Sequence, residues 1–162
     1  MKRVSLVASA FGAAVALAVA PNALASSVHF KNNTPPKFTD LGLQLNASGA
    51  LTGLGNGDVT VNLTATGSPI ATCTNPSGAN QPAGQNPAKI TVGGVQNIPA
   101  SSVKNGNVAF PVTTQAPPTP VPGAPGCQNK NWTETIVDVV FSSPGITVVQ
   151  GGAAVLSYNG SL

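Results

Sequence analysis

Apolar side chains recur at every second position along much of this chain. Val59, Val61, Leu63 and Ala65 alternate with Thr60, Asn62, Thr64 and Thr66. Leu41, Leu43 and Leu45 alternate with Gly42, Gln44 and Asn46, and Val108, Phe110 and Val112 repeat the theme. A period of two sends one set of side chains to a buried sheet face and the other to water. The β-branched residues that weaken helices suit such strands. Further strands are expected at 70–74, 89–98, 132–142, 145–150 and 153–158. Turn signals separate them at Gly55-Asn56-Gly57, Gly93-Gly94, Asn105-Gly106, Pro144-Gly145 and Gly151-Gly152. Asn105-Gly106 between two β-like runs is a hairpin signal. Pro111 lacks an amide donor, which places its strand at a sheet edge or a bulge. Nothing after Ser26 has helical periodicity. The expected fold is a single-domain antiparallel β-sandwich of about seven to nine strands with immunoglobulin-like packing, a small β-barrel being the alternative.

The first 25 residues follow a different logic. Lys2 and Arg3 precede an apolar run from Leu6 to Ala20, and Ala23-Leu24-Ala25 has the small-x-small spacing a signal peptidase cleaves. The run is shorter than the roughly 20 residues a membrane span needs. Residues 1–25 are therefore expected to be a secretory signal, cut between Ala25 and Ser26. Residues 26–162 are expected to form one secreted, extracellular or cell-surface domain with no membrane span.

Removing that segment removes the only arginine. What remains is Lys31, Lys37, Lys89, Lys104 and Lys130 against Asp40, Asp58, Glu134 and Asp138. Scattered lysines do not neutralise a phosphate backbone, so nucleic acid is excluded as a partner. Low charge without low hydrophobicity also argues against disorder.

Cys73 and Cys127 are the only cysteines. In an exported chain a lone pair is expected to form one disulfide. A thiolate metal site would need further ligands, and the expected mature chain offers one histidine, His29. No metal and no cofactor is expected. Two segments break the alternation: residues 75–88 and 115–131, rich in Pro, Gly, Asn and Gln. Each adjoins one cysteine, so the disulfide gathers both loops at one end of the sandwich. Long loops of this kind are often functional. The expected ligand-binding residues there are Gln81, Gln85, Asn86, Asn129, Asn131 and Trp132, with Trp132 serving as a stacking platform for a glycan or as a protein contact.

Catalytic chemistry has little to draw on. Glu134 and Asp138 are the one close carboxylate pair. On a strand they would stand on one face about 13 Å apart, beyond the roughly 5–9.5 Å of paired glycosidase carboxylates. They are expected to be solvent-side charges, with Val137, Val139 and Phe141 on the buried face. Gly53–Asp58 (GLGNGD) is a single copy of a glycine-rich stretch and reads as a turn rather than a calcium repeat. No catalytic residue is assigned, and a non-enzymatic role is expected.

The layout Ala71-Thr72-Cys73-Thr74-Asn75-Pro76, then Gly84-Gln85-Asn86-Pro87, then Cys127 and Asn131-Trp132-Thr133 resembles small secreted bacterial β-sandwich proteins of actinobacterial type. That resemblance implies no catalytic residues. Val28-His29-Phe30-Lys31 resembles the N-terminal strand of chaperone–usher pilins, which completes a neighbour's sheet. It implies a self-assembling structural subunit as an alternative role.

Overall fold

A computed structural model describes residues 27–84, 86–120 and 126–162. The signal segment and the cleavage site at Ala25 and Ser26 lie outside the described residues, as does Gln85. The described chain is all-β: β1 His29–Phe30, β2 Lys37–Asp40, β3 Leu45–Thr52, β4 Val59–Thr74, β5 Asn80–Pro82, β6 Ile90–Ile98, β7 Val108–Thr113, β8 Thr133–Gln150 and β9 Ala153–Asn159. Two three-residue 3-10 turns complete it, and among the described residues no helix is long and apolar enough to cross a membrane.

The strands form two antiparallel sheets. In the smaller one, β3 pairs with β1 and β2 along one edge and with β7 along the other. In the larger one, β4 is flanked by β5 and β6 on one side and by β8 on the other, and β9 closes the far edge of β8. The larger sheet curls as a half-barrel. Its β6 meets β7 of the smaller sheet, where the Gln115 amide donates to the Gly93 carbonyl at 2.8 Å. Gly94 sits in this seam because a Cβ there would collide with the Thr113 backbone. Apolar faces meet between the sheets: Ala47, Leu51, Phe110 and Val112 from the smaller, and Val59, Val61, Leu63, Ile146 and Val148 from the larger. A second cluster, with Leu45, Ala65, Val92, Ile136, Val139 and Phe141, extends the core towards the other end.

The alternation of Val59, Val61, Leu63 and Ala65 is a buried strand face, as is that of Phe110 and Val112. Pro111 lies exposed on β7, which pairs only with β3, so its missing donor interrupts no ladder. Asn105 and Gly106 have φ of 50° and 73°, the left-handed pair that a tight hairpin turn requires. Lys104 and Asn107 close the turn with reciprocal 2.9 Å bonds.

Other expectations require correction. Leu41–Gln44 is the turn between β2 and β3, closed by the Leu41 amide on the Gln44 carbonyl, and Leu41 is 56 % exposed. The expected strands around 59–66 and 70–74 are one 16-residue strand, and those at 132–142 and 145–150 are one 18-residue strand. Pro69 is tolerated inside β4 because β6 pairing stops at Gly67 and β5 pairing starts at Thr72. In that gap the Ala71 amide is met by the Asn86 side chain instead of a strand. Pro144-Gly145 does not break β8. Pro144 pairs with Ala65 at the point where the β9 ladder ends. The 75–88 segment is not all loop: β5 pairs with Thr72–Thr74 across a turn organised by Asn75, whose Oδ1 accepts from the Ser77 and Ala79 amides.

The register of β8 against β4 slips twice. Ile70 faces Asp138 and Ala71 faces Ile136, leaving Val137 extra. Gly67 faces Phe141 and Thr66 faces Ser143, leaving Ser142 extra. Each extra residue reverses which side chains point inward. Before the first slip, Glu134 and Ile136 are buried; after it, Val139 and Phe141 are.

Candidate functional site

Cys73 and Cys127 are bonded, with Cα atoms 5.7 Å apart. The bond ties β4 to the loop that leads into β8, rather than bridging the two sheets as in antibody domains. The chain arrives at this loop along a path anchored to the fold: the Thr119 hydroxyl accepts from the Ile136 amide at 3.1 Å, and Pro117 is buried. Beyond the disulfide, the Asn129 side chain accepts from the Asn131 amide and its carbonyl accepts from the Trp132 amide. This compact turn delivers Thr133 into the sheet opposite Thr74.

The loop stands over β5 and leaves an open cleft of about 400 Å³ lined by Gln81, Pro82, Gly84, Gly126, Cys127 and Gln128. The Gly84 amide donates to the Gly126 carbonyl at 2.9 Å, which stitches the two loop segments together. Among the described residues that line it, none carries a charge. The polar groups available are two primary amides, Gln81 and Gln128, and the backbone of two glycines.

Of the residues singled out in the sequence, Gln81 and Cys127 meet in this cleft. Asn129 and Asn131 are exposed in the adjoining turn, with the Asn129 carboxamide oxygen engaged. Trp132 is half-buried and does not line the cleft. Asn86 braces β4 through the Ala71 amide at 3.0 Å. Pro82, Gly84, Gly126 and Gln128 carry no sequence signal beyond loop composition.

The carboxylates depart most from expectation. Glu134 is not a solvent-side charge: it is 0 % exposed. Neither of its oxygens has a hydrogen-bond partner among the described residues. Asp138 is partly exposed, and Val137, expected inside, is 48 % exposed. The extra residue at Val137 puts the two carboxylates on opposite faces of β8. Its parity with Ile136 marks Glu134 as inward, but only once the slip is known. Glu134 lies directly across from Cys73, and on the other side of Cys73 lies Gln81.

A second open groove of about 520 Å³ runs along the β6–β7 seam, lined by Asn62, Thr64, Gly93, Val95, Thr113 and Gln115 among others. Among the described residues no group of three or more His, Cys, Asp or Glu side chains could hold a metal ion. His29 is exposed, with its Nδ1 at 2.8 Å from the Ser27 carbonyl. Val28 and Phe30 are buried in this chain's own core, and β1 pairs with β3, so the N-terminal strand lies in its own sheet. No family model, curated protein or solved structure matches this chain.

Proposed function

We propose that this is a secreted, non-enzymatic extracellular or cell-surface protein, and that the cleft beside the disulfide is its interaction surface. The observation that carries the reading is the cleft's lining: Gln81 and Gln128 amides and glycine backbone, with no charged side chain among the described residues, around a cavity of about 400 Å³. Uncharged donors and acceptors on a scaffold stapled at one edge suit a neutral polar ligand. A short segment of extracellular glycan fits this chemistry, and an uncharged protein loop is the second occupant. The disulfide and the Gly84–Gly126 bond tie the cleft's two walls together. Preorganisation of this kind lowers the ordering cost of binding.

A glycan array followed by titration calorimetry on the best hit tests it. Replacing Gln81 and Gln128 together by Ala is expected to weaken binding about tenfold, the loss of two ordinary hydrogen bonds. Trp132→Ala, outside the cleft, is expected to leave affinity near wild type. A glycan that binds the double variant as tightly as wild type, or that depends on Trp132 alone, contradicts the assignment.

A further inference from the structure

Among the described residues, every strand edge but one is short, guarded or met by another part of the chain. The facing edges of β6 and β7 meet through the Gln115–Gly93 bond. β5 is three residues long, and the Gly84–Gly126 bond adjoins it. Where β8 runs beyond β9, its Ile136 amide, pointing away from β4, donates to the Thr119 hydroxyl, and its Val139 amide donates to the Gly42 carbonyl. β1 has two residues. β2 has four, with Lys37 and Asp40 at its ends and Pro35-Pro36 before it. Shortness, charge and proline of this kind keep an edge from pairing with other chains. β9 has none of these guards. Its seven residues, Ala153–Asn159, carry no charge and no proline, and among the described residues it pairs only with β8. The Gly160 amide donates to the Pro144 carbonyl at 2.8 Å, which fixes the alternation along β9. Tyr158 and Leu156 exchange bonds with Ile146 and Val148, so the N–H and C=O groups of Ser157 and Asn159 point away from β8. Leu156 and Tyr158 pack against the core yet stay half-buried, whereas Ser157 and Asn159 are exposed.

We propose that β9 is a dimerisation edge: a second copy of this chain adds its own β9 antiparallel to it, about a twofold axis at Ser157, and the two larger sheets become one. The occupant follows from the pattern of the edge. Outward-pointing backbone groups must meet outward-pointing groups, so a ladder centred on Ser157 lets each Ser157 N–H donate to the Ser157 carbonyl of the other copy. In that register Leu156 stands across from Tyr158 of the other copy, and Tyr158 across from its Leu156. The axis is perpendicular to the sheet, so both pairs lie on the core side and cover side chains that one copy leaves half-buried. Cross-strand pairs of this kind are favourable. On the opposite face Ser157 meets Ser157, and no like charges meet. The contact is closed, since each copy spends its open edge on the other, and assembly stops at two. A single added ladder buries less than the roughly 1,600 Å² of a standard interface, so the dimer is reversible. The cleft lies on the β5 side of β4, at the opposite edge of the sheet, and the dimer does not depend on what it binds.

Sedimentation equilibrium over a concentration series from micromolar to millimolar tests it. Wild type is expected to pass from monomer to dimer. Ser157→Lys and Ser157→Glu alter an exposed side chain, and each sets like charges directly across the axis. Each variant alone is expected to associate at least about tenfold more weakly. An equimolar mixture of the two is expected to dimerise again, because opposite charges then face each other. Amide hydrogen exchange on wild type needs no variant: protection of Ser157 and Asn159 is expected to rise with concentration. A wild type that stays monomeric, single variants that dimerise like wild type, a mixture that stays monomeric, or a dimer that leaves those two amides unprotected each overturns the proposal.

Discussion

Replacing Cys73 and Cys127 together by Ala is expected to lower the unfolding free energy by about 4 kcal/mol, the chain-entropy value for a closed loop of this length. The two cysteines are separated by 54 positions. The loss comes mainly from the unfolded chain, which gains freedom when the loop opens. In the folded state the change is local. The β4–β8 ladder runs from Val59 to Thr74 without the disulfide's help, and the buried clusters lie between the sheets. What loosens is the wall formed by Gly126, Cys127 and Gln128, which among the described residues keeps the Gly84–Gly126 bond. Urea unfolding followed by circular dichroism measures the loss. A change below about 1 kcal/mol would mean that the loop is already restrained in the unfolded chain.

Gly94→Ala is expected to cost about 3 kcal/mol, at the upper end of overpacking effects. The added Cβ meets the Thr113 carbonyl and the Thr114 Cα, both backbone, so no side chain can swing aside. Either β6 or β7 must move, and with it the Gln115–Gly93 bond that joins the two sheets. Gly93→Ala is the control. Its Cβ would meet only the Leu63 carbonyl at 3.7 Å, an ordinary contact, and its cost is expected to stay near the strand preference alone. Thermal unfolding of the pair distinguishes the two. Equal destabilisation would show that the seam does not depend on close approach at Gly94.

Those two glycines are neighbours of one type, and nothing in the sequence tells them apart. Other features are legible because their physics is local. Alternation at Val59–Ala65 and Val108–Val112 announces strands because burial on one sheet face imposes the period directly. Asn105-Gly106 announces its turn because few residues tolerate left-handed backbone. The pairing of Cys73 with Cys127 requires no geometry, there being no other cysteine. A slip in register leaves no comparable mark. Val137 and Ser142 are ordinary strand residues, and nothing in Trp132–Phe141 says where parity reverses. Alternation continued unbroken through Val137 puts Val137 inside and Glu134 outside, the reverse of their true places. The same blindness splits β4 between 66 and 70, around Pro69, and β8 at the expected Pro144-Gly145 turn. A proline ends a strand only where its missing donor would have met a partner, and partner edges belong to the tertiary structure. The cleft is legible only in outline. Gln81 and Cys127 stand out in the sequence, but Pro82, Gly84, Gly126 and Gln128, which complete the described lining, carry no signal beyond loop composition.

The burial of Glu134 depends on β8 reversing its inward face at Val137, which sets that residue inward and across from Cys73. Proton NMR on isotopically labelled protein reads this directly, because non-hydrogen-bonded antiparallel pairs bring their α-protons together. Strong cross-peaks are predicted between the α-protons of Cys73 and Glu134 and between those of Ala71 and Ile136, with none linking Ala71 to Val137. A continuous ladder through Val137, with Cys73 facing Thr135 and the Glu134 side chain in water, would contradict it.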